Sequence, residues 1–291
     1  MAPRKPKTKE DALIDIGNEL IKTLRSSKGL LTIDTPRLKK LSIEAQKNKD
    51  GDPAKYWAIN SFISMLKGDY SNAYKHYKNA WTLNSNSFEL MLNYPALLFR
   101  LNYFEELQTK TLGYLKQNPN VNQFLTQLIN TSYILLDTEV LSEALDVFKA
   151  RDELDRTISY KGSEAINFIP KFKDMLNEIE LEKNDYVESM MFLNSFISKN
   201  TLESYISRLS VELNNDEFVR VEVFFEITSE QALHLNKEFD DCYIKYSMEE
   251  EAFDRLSKFI VYFKPRSDIK DDRKDVHSTF IVDEDDGQLV T

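Results

Sequence analysis

The stretch WAINSFISMLKGDYSNAYKHYKNA, residues 57–80, decides how the rest of this chain is read. Trp57 is followed by ten residues, then by Gly68, Asp69 and Tyr70, and then by Ala73, Tyr77 and Ala80 at fixed offsets. The surrounding composition suits helices packed on helices. In 291 residues there are 7 glycines and 8 prolines, against 18 phenylalanines and 14 tyrosines, so helix breakers are scarce and aromatic side chains abundant. Hydrophobic residues make up 42% and charged residues 30%, enough apolar surface for a packed core. The length suits one long domain or two ordinary ones.

The spacing is that of a tetratricopeptide (TPR) repeat, a helix–turn–helix unit, and the stretch resembles that family. On the 34-residue frame of the repeat, Pro53 precedes a first helix to about Lys67. Gly68 and Asp69 then make the turn, and a second helix runs from about Tyr70 to Leu83. The resemblance implies small residues where paired helices cross, and Ser61, Ala73 and Ala80 supply them. Aromatics at Trp57, Tyr70 and Tyr77 would fill the gaps between helices. A degenerate second unit starts near Phe88: Asn102 stands in the glycine place, Leu107 and Tyr114 replace the alanines, and Pro119 keeps the terminal proline. Pro95 departs from the pattern and removes a helical hydrogen bond. A third pair is expected over about 122–136 and 139–152, with Ala144 and Phe148 at repeat-like spacing. The resemblance covers about 54–155. One unit cannot bury its own face, so neighbours are required.

Outside this region periodicity does the work. Leu13, Ile14, Ile16, Leu20, Ile21 and Leu24 predict a helix over about 11–24, Gly29 lies in a break, and Thr35 before Pro36 opens a helix to about Lys47. Helices are predicted over about 163–181 and 184–198, with Met190, Met191, Phe192 and Phe196 as core. After Asn200 the period drops to two. Val219, Val221, Val223, Phe225 and Ile227 alternate with Arg220, Glu222 and Glu226, which predicts a half-buried strand with Glu222 facing away from the valines. Leu209, Val211 and Leu213 followed by Asn214-Asn215-Asp216 predict its hairpin partner. Thr228 with Gln231 reads as a capping box for a helix to about Phe239, and Ser247 with Glu250 as another for a helix to about Ser257. Cys242–Tyr246 and Phe259–Phe263 read as short strands. The expected fold class is mostly α: a TPR-like helical array followed by a small α+β domain. The expected organisation is a disordered basic tail at 1–9, the array at 10–200, the α+β domain at 201–266 and a charged, partly disordered tail at 267–291. The last carries a strand at Thr279–Val282 and a solvated acidic end at Asp283–Asp286.

The net charge of −10 argues against nucleic acid as the main partner, because an acidic chain gains little from counterion release. Arg4, Lys5, Lys7 and Lys9 form a local basic cluster, read as a solvated tail. The single cysteine, Cys242, allows no disulfide within the chain and suits a reducing compartment. With no apolar run near membrane-spanning length and no secretory signal, the expectation is a cytoplasmic protein with no membrane partner. The three histidines, His76, His234 and His277, fall at no metal-ligand spacing, and phosphate-loop, dinucleotide and nucleophile-elbow motifs are absent from the sequence. No metal, cofactor or catalytic residue is therefore expected. His76 is read as a packed helix residue, Cys242 as a buried small hydrophobe, and Asp240 with Asp241 as a solvated helix end.

The TPR resemblance also implies a lining surface, drawn from the first helix of each unit. The first unit contributes Lys55, Ala58, Phe62, Met65 and Leu66, and the second Glu89, Leu92, Ala96, Phe99 and Arg100. Ala58 and Phe62 stand where a carboxylate clamp needs polar donors, so an apolar helix or strand is the expected protein ligand. A groove filled by the chain's own segments fits equally well. The expected function is a non-catalytic adaptor or scaffold, or a regulator that sequesters a partner. The alternatives are an enzyme using acidic residues of the α+β domain, and a structural subunit that assembles into homo-oligomers.

Overall fold

The computed structural model describes residues 8–26, 35–85, 87–149, 156–201, 206–212, 217–250, 252–269 and 280–283. Within these, helices dominate. They are α1 (Lys9–Ser26), α2 (Thr35–Lys47), α3 (Pro53–Leu66), α4 (Tyr70–Leu83), α5 (Phe88–Arg100), α6 (Phe104–Gln117), α7 (Asn122–Leu135), α8 (Glu139–Lys149), α9 (Arg156–Glu178) and α10 (Lys183–Asn200). There follow β1 (Ile206–Glu212), β2 (Phe218–Phe225), α11 (Ser229–Glu249), the single turn α12 (Phe253–Leu256), β3 (Phe259–Pro265) and β4 (Phe280–Asp283). The basic cluster at Arg4, Lys5 and Lys7, the break at Gly29, the turn Asn214–Asp216, His277 and the acidic residues 284–286 lie outside the described residues. The chain divides into two compact units. One holds α1–α5 with Ser198–Thr201; the other holds the remaining described elements from α6 onward.

In the first unit, each helix start is written in local chemistry. Asp52 caps α3, its Oδ1 accepting from the Lys55 amide at 2.9 Å, with Pro53 as the first helical residue. Asp69 does the same for α4, accepting from the Asn72 amide at 3.2 Å. Between them Gly68 takes a left-handed φ of 71°, and the Asp69 amide donates back to the Ser64 carbonyl at 2.9 Å. This closes the end of α3 and reverses the chain. The two helices then cross closely. Ala73 and Ala80 are fully buried, and the Ser61 hydroxyl donates to the Ala73 carbonyl at 2.8 Å, a reach that larger side chains at the crossing would prevent. The other side of α3 sends Ile59, Ile63 and Leu66 into a core shared with Leu13, Leu20 and Leu41 of α1 and α2. α5 continues through Pro95 without ending.

The turn recurs beyond the place where glycine marks it. Asn102 (φ 58°), Leu136 (φ 48°) and Glu180 (φ 53°) are left-handed like Gly68. Each is followed by an amide bonded to the carbonyl five residues back: Tyr103 to Leu98 at 3.0 Å, Asp137 to Ser132 at 3.1 Å, and Leu181 to Leu176 at 2.9 Å. The first three turns stand 34 residues apart and the fourth a further 44.

The second unit ends in a four-stranded sheet of order β3-β2-β1-β4, with β2 and β3 parallel and the other pairs antiparallel. The β1–β2 pairing places Leu209 opposite Val221, the hairpin the alternation predicts. The reading of β2 as half-buried is corrected. Val219, Val221 and Val223 are fully buried, but Glu222 and Phe224 are only 7% and 2% exposed. Glu222 tolerates burial because Arg220, at 2.8 Å, and Lys264 both bind its carboxylate. β3 lies at one edge of the sheet, and there Asn236 of α11 substitutes for a neighbouring strand. Its Nδ2 donates to the Phe263 carbonyl at 3.0 Å and its Oδ1 accepts from the Phe263 amide at 2.7 Å.

α11 brings two further corrections. The Thr228–Gln231 capping box is present, but the helix runs on to Glu249, so Cys242–Tyr246 is helical and not a strand. The buried residues Ala232, Leu235, Phe239, Tyr243 and Ser247 follow helical spacing, and Phe239 stacks on Tyr243 one turn later with centroids 5.3 Å apart. Ser247 is buried in the last turn of α11 and opens no helix; α12 begins only at Phe253, after Ala252. α10 packs alongside within the same unit. Its buried Asp185 is paired with Arg255, and the Ser189 hydroxyl lies 2.7 Å from that of Tyr243.

Two variants check this account of the helix pair. Ala73→Leu overpacks the α3–α4 crossing and should cost about 1–3 kcal/mol of unfolding free energy in denaturant titration. Gly68→Ala meets no atom within 4 Å of the added methyl, so only the left-handed backbone is penalised. The expected loss is about 1 kcal/mol, and an unchanged Tm would refute the turn's role.

Candidate functional site

Lys55, Ala58, Phe62 and Met65 recur at intervals of three, four and three residues, which places them in one line along α3. All four are partly exposed, between the side of α3 that meets α1 and α2 and the side that meets α4. Phe62 also packs on the rim of the α1–α3 core. Leu66, the fifth residue of the expected lining, is 4% exposed and belongs to that core. On α5 the arrangement differs. Leu92 and Phe99 are buried, at 4% and 7% exposure, while Ala96 and Arg100 are partly exposed. The expected open apolar stripe is thus accessible on α3 and closed at Leu92 and Phe99.

A segment of the chain itself meets the α5 end of this surface. The Arg100 guanidinium donates from Nη1 to the Thr201 carbonyl at 3.0 Å, and the Tyr70 hydroxyl bonds the Ser198 carbonyl. Arg100 was implied as a lining residue; its partner Thr201 lies about 100 positions on and carries no sequence signal.

The aromatic residues of α4 form a second feature. Tyr77 stacks on Tyr94 with centroids 4.5 Å apart and planes 4° from parallel, and its hydroxyl bonds the Leu90 carbonyl. Tyr74 and Trp81 flank the same Tyr94 ring at 6.4 and 6.3 Å. Trp57 stacks on His76 at 5.2 Å, and His76 Nδ1 has no hydrogen-bond partner. Burial holds the His76 imidazole below its ordinary pKa, against the opposing pull of the Asp69 carboxylate.

Cys242 is exposed on α11, which corrects its reading as a buried hydrophobe: the helix turns it away from the Phe239–Tyr243 side. Asp240 and Asp241 sit in the middle of α11 rather than at a helix end. Partial burial, reinforced by Asp241, raises the Asp240 pKa. Asp241 joins Ile244, Lys245, Met248 and Glu249 around a shallow, open depression. His234 pairs with the exposed Glu238, at 3.8 Å. Among the described residues no three His, Cys, Asp or Glu side chains converge on a metal position, and no helix is long and apolar enough to cross a membrane. In comparisons with protein-family models, curated proteins and solved structures, nothing matches the chain.

The His76 environment has a measurable consequence. A depressed folded-state pKa means that the unfolded chain binds more protons. Its stabilising contribution is therefore complete above the ordinary value of 6.5 and declines as pH falls through 6.5 toward the folded value. Denaturant titrations at about pH 7.5 and about pH 5.5 should show a smaller stability loss for His76→Phe than for the unsubstituted protein.

Proposed function

We propose that this chain is a non-catalytic protein-interaction module of the TPR type, acting as an adaptor, a scaffold or a regulator that sequesters its partner. The observation that carries the reading is the recurrence of the left-handed turn at Gly68, Asn102 and Leu136, 34 residues apart, each with the same amide-to-carbonyl closure. That period is the repeat length of the family that residues 57–80 resemble. The docking surface in this reading is the α3 line of Lys55, Ala58, Phe62 and Met65, continued by Ala96 on α5. Its apolar centre and single cation suit an amphipathic helix or an apolar strand. Leu92 and Phe99 then support the surface from beneath.

The test is partner capture from native extracts with quantitative mass spectrometry. Phe62→Glu should abolish recovery of the stoichiometric partner while circular dichroism shows unchanged helix content. Loss of such an anchor corresponds to about 2 kcal/mol or more of binding. Because Phe62 touches the α1–α3 core, Met65→Glu serves as a second variant on the same line. Retained capture by both folded variants would refute the docking surface.

A further inference from the structure

The segment Ser198–Thr201 is grouped by its contacts with α1–α5 and not with the helix that leads into it. Ser198 is 2% exposed and Thr201 3% exposed. The last carbonyls of an α-helix have no intrahelical donor and must find one elsewhere. Here two side chains supply donors. The Tyr70 hydroxyl, at the start of α4, bonds the Ser198 carbonyl, and Arg100 Nη1, at the end of α5, donates to the Thr201 carbonyl at 3.0 Å. A guanidinium at a helix C-terminus also meets the negative end of the helix dipole. Arg100 is at the same time one of the positions that the repeat frame assigns to the lining surface.

We propose that Ser198–Thr201 is an autoinhibitory latch: a segment of the chain seated on the α5 end of the docking surface, which a partner must displace in order to use that end. The inference rests on the reading of α3 and α5 as a docking surface. It divides that surface into an α3 part open at rest and an α5 part occupied in cis. The latch carbonyls are held by Tyr70 and Arg100 and its Ser198 and Thr201 side chains are buried, so losing the donors or that burial releases it.

The test uses the full chain carrying Tyr70→Phe together with Arg100→Leu, which keep the apolar bulk and remove both donors. In hydrogen exchange, the amides of Ser198–Thr201 should exchange roughly tenfold faster, with protection in α3 and α4 unchanged. A labelled peptide of residues 195–203, SFISKNTLE, should bind a chain carrying Thr201→Glu, which displaces the buried segment and keeps the Tyr70 and Arg100 donors, and should not bind the unsubstituted chain. Three results overturn the latch: unchanged exchange at 198–201, acceleration spread evenly through α3 and α4, or a peptide that fails to distinguish the two proteins. Failure of the docking surface itself reads out separately, as retained partner capture by Phe62→Glu and Met65→Glu, and leaves the exchange result standing.

Discussion

The helix pairs of this chain depend on one local constraint: how a helix is stopped and reversed within two residues. A single left-handed residue, followed by an amide that reaches back to the carbonyl five positions earlier, closes the helix and ends it abruptly. Glycine adopts that conformation without steric cost, and asparagine at little. Leucine and glutamate do not, and a left-handed L-residue of that kind costs about 1–2 kcal/mol. Leu136 nonetheless holds it, with its side chain fully buried, so packing of the side chain offsets backbone strain. Once the turn is set, small residues at the crossing decide how near the paired helices come.

The sheet of the second unit solves a different problem. A strand at a sheet edge exposes unpaired amides and carbonyls, and a buried carboxylate needs compensation. Asn236 meets the first need with two bonds to Phe263. Arg220 and Lys264 meet the second at Glu222. Both devices put polar side chains on backbone or charge that burial would otherwise leave unsatisfied, and each draws on a residue distant in sequence, Asn236 being 27 positions from Phe263 and Lys264 42 from Glu222. The rest of the packing there is aromatic: Phe239 lies against Phe196, Tyr243 and Phe263.

The surface of α3 and α5 brings these themes together. Residues on α3 that face neither α1–α2 nor α4 remain partly open, and the equivalent large apolar residues on α5 are closed. In the proposed reading these partly exposed apolar residues receive another chain; the neighbouring Arg100 holds a segment of its own chain. Among the described residues, Cys242, His234 and the Asp240–Asp241 pair lie on the outside of α11, and no three His, Cys, Asp or Glu side chains converge on a metal position.

Much of the fold was legible in the sequence because it rests on short-range signals. Asp52, Pro53, Gly68 and Asp69 announce the first helix pair, Thr228 and Gln231 announce α11, and the valines at 219, 221 and 223 announce β2. Each of these acts within a few residues of itself, through a cap, a fixed φ or a two-residue period. The failures have one cause. Cys242–Tyr246 alternates like a strand over five residues, but Phe239, Tyr243 and Ser247 continue a helical stripe only visible across the whole element. Glu222 reads as solvent-facing until Lys264, 42 positions later, is brought beside it. The residues expected to line a surface fall within α3 and α5, and burial of Leu92 and Phe99 depends on what the folded chain lays against them. Sequence alone therefore determined the elements that a cap, a fixed φ or a two-residue period marks locally, such as α3, α4, the start of α11 and the valine side of β2. Only tertiary structure decided which apolar sides are covered, because coverage depends on partners that no local rule reaches.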